Sequence, residues 1–164
     1  MNVLATFVAI GVVDRLGRRP VLLAGFATMT VGMGILGVLL HVGTHSLGMQ
    51  LFAVAMLLVF IIGFATSAGP LIWVLCSEVQ PTKGRDFGIA ASTLTNWVAN
   101  FVVGLTFLSM LHSFGDGITF GIYAAFNLAF LFFTFFMVPE TKGISLEAIE
   151  ANLMDGKPLR HIGT

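Results

Sequence analysis

Hydrophobic positions in this chain come in long unbroken runs, not in the alternation of a half-buried strand or the narrow stripe of a surface helix. Five runs stand out, at 1–13, 20–41, 51–76, 87–111 and 118–138. The last four reach the roughly 20 residues a helix needs to cross a hydrocarbon core of about 30 Å. The first falls short, spanning only about 20 Å as helix, so the chain is expected to begin partway through a crossing. From Pro20 to Ser77 there is no Asp, Glu, Lys or Arg. As helix that stretch would extend roughly 87 Å, which is two crossings and a loop. The remainder, 139–164, reads as a polar tail with a helix over 146–155. Ser145 can cap it, Glu147 and Glu150 suit its N-terminal dipole, Leu146, Ile149 and Leu153 share one face, and Gly156 and Pro158 end it. Its polar face is acidic, which suits packing beneath a bundle better than a lipid-surface or calmodulin-type role.

Composition points the same way. Of 164 residues, 57% are hydrophobic and 10% are charged, against about 25% charged in an ordinary soluble domain. A soluble fold of this size buries only about 70% of the surface its unfolded chain exposes, and the apolar excess would remain as patches. The expectation is an all-α membrane protein: a transmembrane bundle over 1–138, with about four full helices plus one truncated, and a tail over 139–164 carrying a short amphipathic helix.

Net charge is zero, so nothing draws the chain to nucleic acid. The distribution is what informs. Lys and Arg number three in 14–19, none in 42–50, two in 77–86, none in 112–117 and three in the tail. By the positive-inside rule the basic loops and the C-terminus face the cytoplasm, making a multi-pass protein. An odd number of crossings then starts outside, as expected of a piece of a longer polytopic chain. The apolar start lacks the basic leader and cleavage site of a signal peptide. Within the spans, Ala24, Thr28 and Gly32 form a small-residue face of the kind that lets membrane helices approach closely.

Cys76 is the one cysteine, which excludes an internal disulfide, and His41, His45, His112 and His161 lack metal-ligand spacing. No serine or cysteine lies in a nucleophile motif. Neither an enzyme, a metal nor a cofactor is expected.

Chemistry concentrates at the basic ends. The first basic loop reads Asp14-Arg15-Leu16-Gly17-Arg18-Arg19-Pro20, the next carries Ser77, Glu78, Lys83, Arg85 and Asp86, and the tail opens Pro139-Glu140-Thr141-Lys142-Gly143. Both signs of charge stand at each helix mouth, so they could pair across helices in one access state and part in another. Positive-inside anchoring alone would explain the arginines but not the acids.

The D-R-x-G-R-R turn, the G-P-x-x-W segment at Gly69, Pro70 and Trp73 leading to Ser77-Glu78, the Arg85-Asp86-Phe87-Gly88 and Asn96-Trp97 pairs, and P-E-T-K-G occur in order with span-length spacing. Together they resemble the sugar porter family of the major facilitator superfamily, and within it the bacterial hexose and pentose proton symporters. The resemblance covers essentially the whole chain and implies the C-terminal part of a twelve-helix bundle in the bacterial inner membrane.

What the resemblance implies is carried residue by residue. Gly69 and Pro70 match the break of the tenth helix, and Trp73 the tryptophan that lines the sugar. A ring face stacks on sugar C–H groups while the indole N–H donates to a hydroxyl, although Trp73 could also sit in an interfacial belt. Phe64 matches a cavity-lining aromatic, with a lipid-facing place as its alternative. Asn96 matches an amide that bonds sugar hydroxyls, and Trp97 the aromatic beside it. Asn100 and Asn127 are ranked as packing groups. Asp14, Arg18, Glu78, Arg85 and Glu140 match the cytoplasmic gate charges, and Arg19 and Lys142 are weaker candidates. The implied partners are sugar and proton in the full-length protein, an N-terminal half, and membrane lipid. The family's proton relay and much of its sugar-binding amide set lie on helices this chain does not contain, so it is not expected to transport alone. A structural or regulatory membrane subunit that binds no solute is the alternative.

Overall fold

The computed structural model describes residues 16–81, 84–158 and 162, so the first apolar run and Asp14 lie outside the described residues. Every regular element among the described residues is a helix: α1 (Arg18–Val42), α2 (Leu47–Thr66), α3 (Ala68–Val79), α4 (Arg85–Phe114), α5 (Asp116–Met137) and α6 (Leu146–Met154). Four stretches are long and apolar enough to cross a membrane: α1, α2 with α3 taken together, α4 and α5. A bilayer offers the backbone no water, so each span must satisfy its own polar groups. The hydroxyls follow suit. Thr28, Thr30, Thr93, Thr95, Thr106 and Thr119 each donate to the carbonyl four residues back, at 2.7–2.8 Å, and the Asn127 amide bonds the Tyr123 carbonyl at 2.8 Å.

The central element is α1, which packs most extensively on α5 and next on α2. Missing side chains make both crossings close. A Cβ added to Gly37 would lie 3.0 Å from the Gly117 carbonyl oxygen and 3.0 Å from the Gly121 nitrogen. On the α2 side, a Cβ on Gly32 would lie 3.0 Å from the Met56 carbonyl, and one on Gly25 would lie 1.7 Å from the Ser67 hydroxyl oxygen. The expected small face over Ala24, Thr28 and Gly32 holds at Gly32 and at Thr28, whose Cβ would lie 3.3 Å from one added to Gly63, and is corrected at Ala24. Ala24 is exposed, and the contact face runs through Gly25, Met29, Gly32 and Leu36, all buried. A cluster of Val21, Leu22, Phe26, Met29, Ala68 and Leu71 forms the core where α1 meets α3, with Phe26 stacked on Phe130 of α5 at 6.0 Å.

The third apolar run is two helices end to end, with the chain broken at Ser67 (φ −132, ψ −88). The expected break at Gly69 and Pro70 thus falls three residues before the proline. Proline has no N–H to offer the carbonyl one turn upstream, here that of Thr66, and its ring crowds that group. The discontinuity forms there, leaving Pro70 in the first turn of α3, where an N–H has no intrahelical partner in any case. Ser67 donates to the Gly63 carbonyl at 2.6 Å, and its own N–H turns to the Phe64 carbonyl at 3.3 Å.

Candidate functional site

Two regions gather the residues singled out by the sequence. One lies at the end of the bundle where α1 begins and α3 and α5 finish. α1 starts after Gly17 with no acid in its first turn and no cap from its own side chains, although the first N–H groups of a helix need acceptors. Glu140, more than a hundred residues away, supplies them: Oε1 accepts from the Arg18 N–H at 3.0 Å and Oε2 from the Arg19 N–H at 3.1 Å. The approach requires Gly17, whose φ is +94 and whose added Cβ would lie 2.6 Å from the Glu140 carboxylate.

The exchange is reciprocal. Arg19 donates to the Phe135 carbonyl in the last turn of α5 at 2.6 Å and lies 5.4 Å from the Phe135 ring centroid. An acid at the N-terminus of α1 and a base at the C-terminus of α5 both complement the helix dipoles. Arg18 then bonds Glu78, at the end of α3, at 3.2 Å, and the second Glu78 oxygen accepts from the Thr141 hydroxyl at 2.5 Å. Two acids thus join α1, α3 and the strand of chain after α5.

Of the expected gate charges, Arg18, Glu78 and Glu140 meet here and Asp14 lies outside the described residues. Arg85 stands apart: it donates to the Gln80 carbonyl at 3.4 Å, and no carboxylate among the described residues lies within ion-pair distance of it. Sequence reasoning missed Gly17 and Thr141. The available signals were a glycine directly before a helix that starts on two arginines, and a threonine next to Glu140. The Nε groups of Arg18, Arg19 and Arg85 are buried without hydrogen-bond partners among the described residues.

The second region follows the Ser67 break. Phe64 and Gly69 are brought together, since a Cβ on Gly69 would lie 3.4 Å from the Phe64 ring and 3.2 Å from its carbonyl. One turn on, Trp73 is 44% exposed, and Trp97 of α4 is 67% exposed, so both rings have faces available for a ligand. Asn96 is half-buried, and α4 buries no residue at all. α3 and α4 are neighbours, although no direct hydrogen bond links Trp73 to Asn96 or Trp97 among the described residues. Aromatic rings can stack on a polyhydroxylated ring and a carboxamide can hydrogen-bond it, and Trp73, Trp97 and Asn96 are the groups of those kinds on these two neighbouring helices that the sequence singled out.

Residues 1–153 match the family model described as "Sugar (and other) transporter". The chain is 63% identical over 162 residues to the galactose-proton symporter of Escherichia coli K12, covering 99% of this chain and 35% of that protein. It is 49% identical to the arabinose-proton symporter of the same strain, covering 97% of this chain and 34% of that protein. The inward-open xylose transporter of E. coli superposes with a TM-score of 0.84 at 34% identity, over 92% of this chain and 33% of that one. The chain thus spans about a third of the length of the relatives it matches.

Proposed function

The chain belongs to the sugar transporter family, and from that membership we propose that it supplies the C-terminal part of a sugar–proton symporter. In this reading it contributes half of a central hexose or pentose site and half of the gate at its charged end. Transport proceeds by alternating access, one half rocking against the other around a midplane site. The observation that carries the proposal is the break at Ser67 inside an otherwise apolar span. Irregular backbone at membrane depth is tolerated only against protein or a water-filled cavity, and the turn that follows presents Trp73. Trp73 stacks on the sugar, Asn96 bonds a hydroxyl, and Trp97, Phe64 and Gly69 shape the wall.

Arg18, Glu78 and Glu140 close the gate by tying α1, α3 and the chain after α5, with Arg85 and Asp14 completing it against the N-terminal half. The described acids stand at helix ends or in the tail, so the proton relay belongs to that half. In this reading the basic loops hold the charged end and the C-terminus on the cytoplasmic side of a bacterial inner membrane, as the positive-inside rule would have it.

The test is binding of radiolabelled galactose to this chain co-expressed with the complementary N-terminal segment of the galactose-proton symporter. Binding that falls at least tenfold in Trp73→Ala is expected. Absence of binding, or binding indifferent to Trp73→Ala, would sink the reading in favour of a membrane subunit that takes no solute.

A further inference from the structure

On α4 the Asn100 amide nitrogen donates twice to the residue one turn before it, to the Asn96 carbonyl at 2.9 Å and to the Asn96 side-chain oxygen at 3.0 Å. The first bond fixes the sense of the second. A backbone carbonyl only accepts, so Asn100 must turn its NH2 toward Asn96, and Asn96 can answer only with its Oδ1. The oxygen of Asn96 is thereby engaged along the helix, and its NH2 is left for the open face. No acceptor among the described residues is bonded to that NH2. The pair cannot face lipid cheaply, because an unpaired amide in hydrocarbon costs several kcal/mol by about the scale of polar-group transfer. In the reading above, it faces the sugar cavity.

We propose that Asn100 is a positioning residue that sets the polarity of the sugar contact, holding Asn96 so that it donates to a sugar oxygen and does not accept from a sugar hydroxyl. The inference rests on the reading of Asn96 as a sugar-binding residue. A freely rotating carboxamide would serve a hydroxyl in either sense. A fixed one discriminates, because a donor site needs an acceptor on the ligand and is indifferent to whether that acceptor also carries a proton.

Galactose analogues in which each hydroxyl is replaced in turn by hydrogen or by fluorine test this on the co-expressed chain. Fluorine can accept weakly and cannot donate, whereas hydrogen does neither. In the unaltered chain, one ring position is expected at which the deoxy analogue binds about tenfold more weakly than galactose while the fluoro analogue loses only about twofold, the scale of one hydrogen bond. Asn100→Leu, of similar volume, frees the amide, and the two analogues then bind alike at that position. Asn100→Asp draws the Asn96 NH2 back toward itself and turns the oxygen outward, making the fluoro analogue the weaker ligand. A general loss of packing would lower affinity for all analogues equally and would leave their ratio untouched. If galactose binds and Trp73→Ala abolishes it, yet both Asn100 variants keep the original fluoro-over-deoxy preference, this proposal fails while the sugar site stands. If the unaltered chain binds no galactose, or Trp73→Ala changes nothing, the site reading fails and takes this inference with it.

Discussion

At the scale of single residues, the charged end shows how a helix without a cap of its own is begun by a distant one. Glu140 does for α1 what Ser46 does locally for α2 and Ser145 for α6, where each hydroxyl accepts the N–H three residues on at 3.3 Å. The remote arrangement places a demand on Gly17 that neither local cap makes. Gly17→Ala combines a strained backbone with a Cβ set against the carboxylate, and is expected to destabilise the chain by about 2 kcal/mol. Glu140→Ala, which strips the acceptors from Arg18 and Arg19, is expected to cost about 1 kcal/mol. The double variant should fall short of the sum, because without the carboxylate the new methyl group has nothing to displace. Thermal unfolding of the four proteins in detergent decides this, and strict additivity would show that Gly17 and Glu140 do not act as a unit.

At the scale of elements, the close crossing of α1 over the α2–α3 junction ties the break to the core. Ser67 is 1% exposed and fills the notch that Gly25 leaves. Gly25→Ala would drive its methyl group into the Ser67 side chain and is expected to cost about 2–3 kcal/mol, an overpacking penalty. Ser67→Gly removes the obstacle and should restore most of that loss in the double variant, whereas Ser67→Ala should not, since the Ser67 Cβ would itself lie 2.2 Å from the added one. Melting temperatures of the two doubles separate these outcomes, and equal rescue by alanine and glycine would contradict the geometry. The spans were legible in the sequence because run length and the absence of charge are properties of each segment alone. The position of the break was less so: the proline announces it, but the discontinuity falls where the missing bond is, one turn upstream. Pairings such as Gly25 with Ser67, or Gly17 with Glu140, join residues far apart in the chain, and no local pattern marks them. Asn100 ranks by its sequence as a packing group, and nothing local in the sequence marks the bond to Asn96 on which its proposed positioning role rests.

At the scale of the whole molecule, the helices differ in how far they are committed to one another. α1 lies between α2 and α5, while α4 buries no residue, as the proposed pairing with an N-terminal half would require. The arginines divide in the same way. Arg18 is held by Glu78 and Arg19 by the end of α5, but among the described residues Arg85 bonds only a backbone carbonyl, at 3.4 Å, while the Nε groups of all three are buried without an acceptor there. A guanidinium carries five N–H donors, and with no carboxylate within ion-pair distance among the described residues, Arg85 is the arginine whose acceptors are expected on the complementary half of the proposed symporter. Two variants should then separate along that line. Glu78→Gln breaks the ion pair within this chain and is expected to lower its own stability by about 1–2 kcal/mol. Arg85→Met, which keeps the length and loses the charge, should leave that stability within about 0.5 kcal/mol, as for a residue with few native partners, yet weaken association with the N-terminal segment about tenfold, the scale of one lost charged hydrogen bond. Unfolding of the isolated chain and titration of the two segments in nanodiscs measure the two quantities independently. If Arg85→Met instead destabilised the chain alone and left the association unchanged, Arg85 would belong to the internal scaffold with Arg18 and would have no part in the gate.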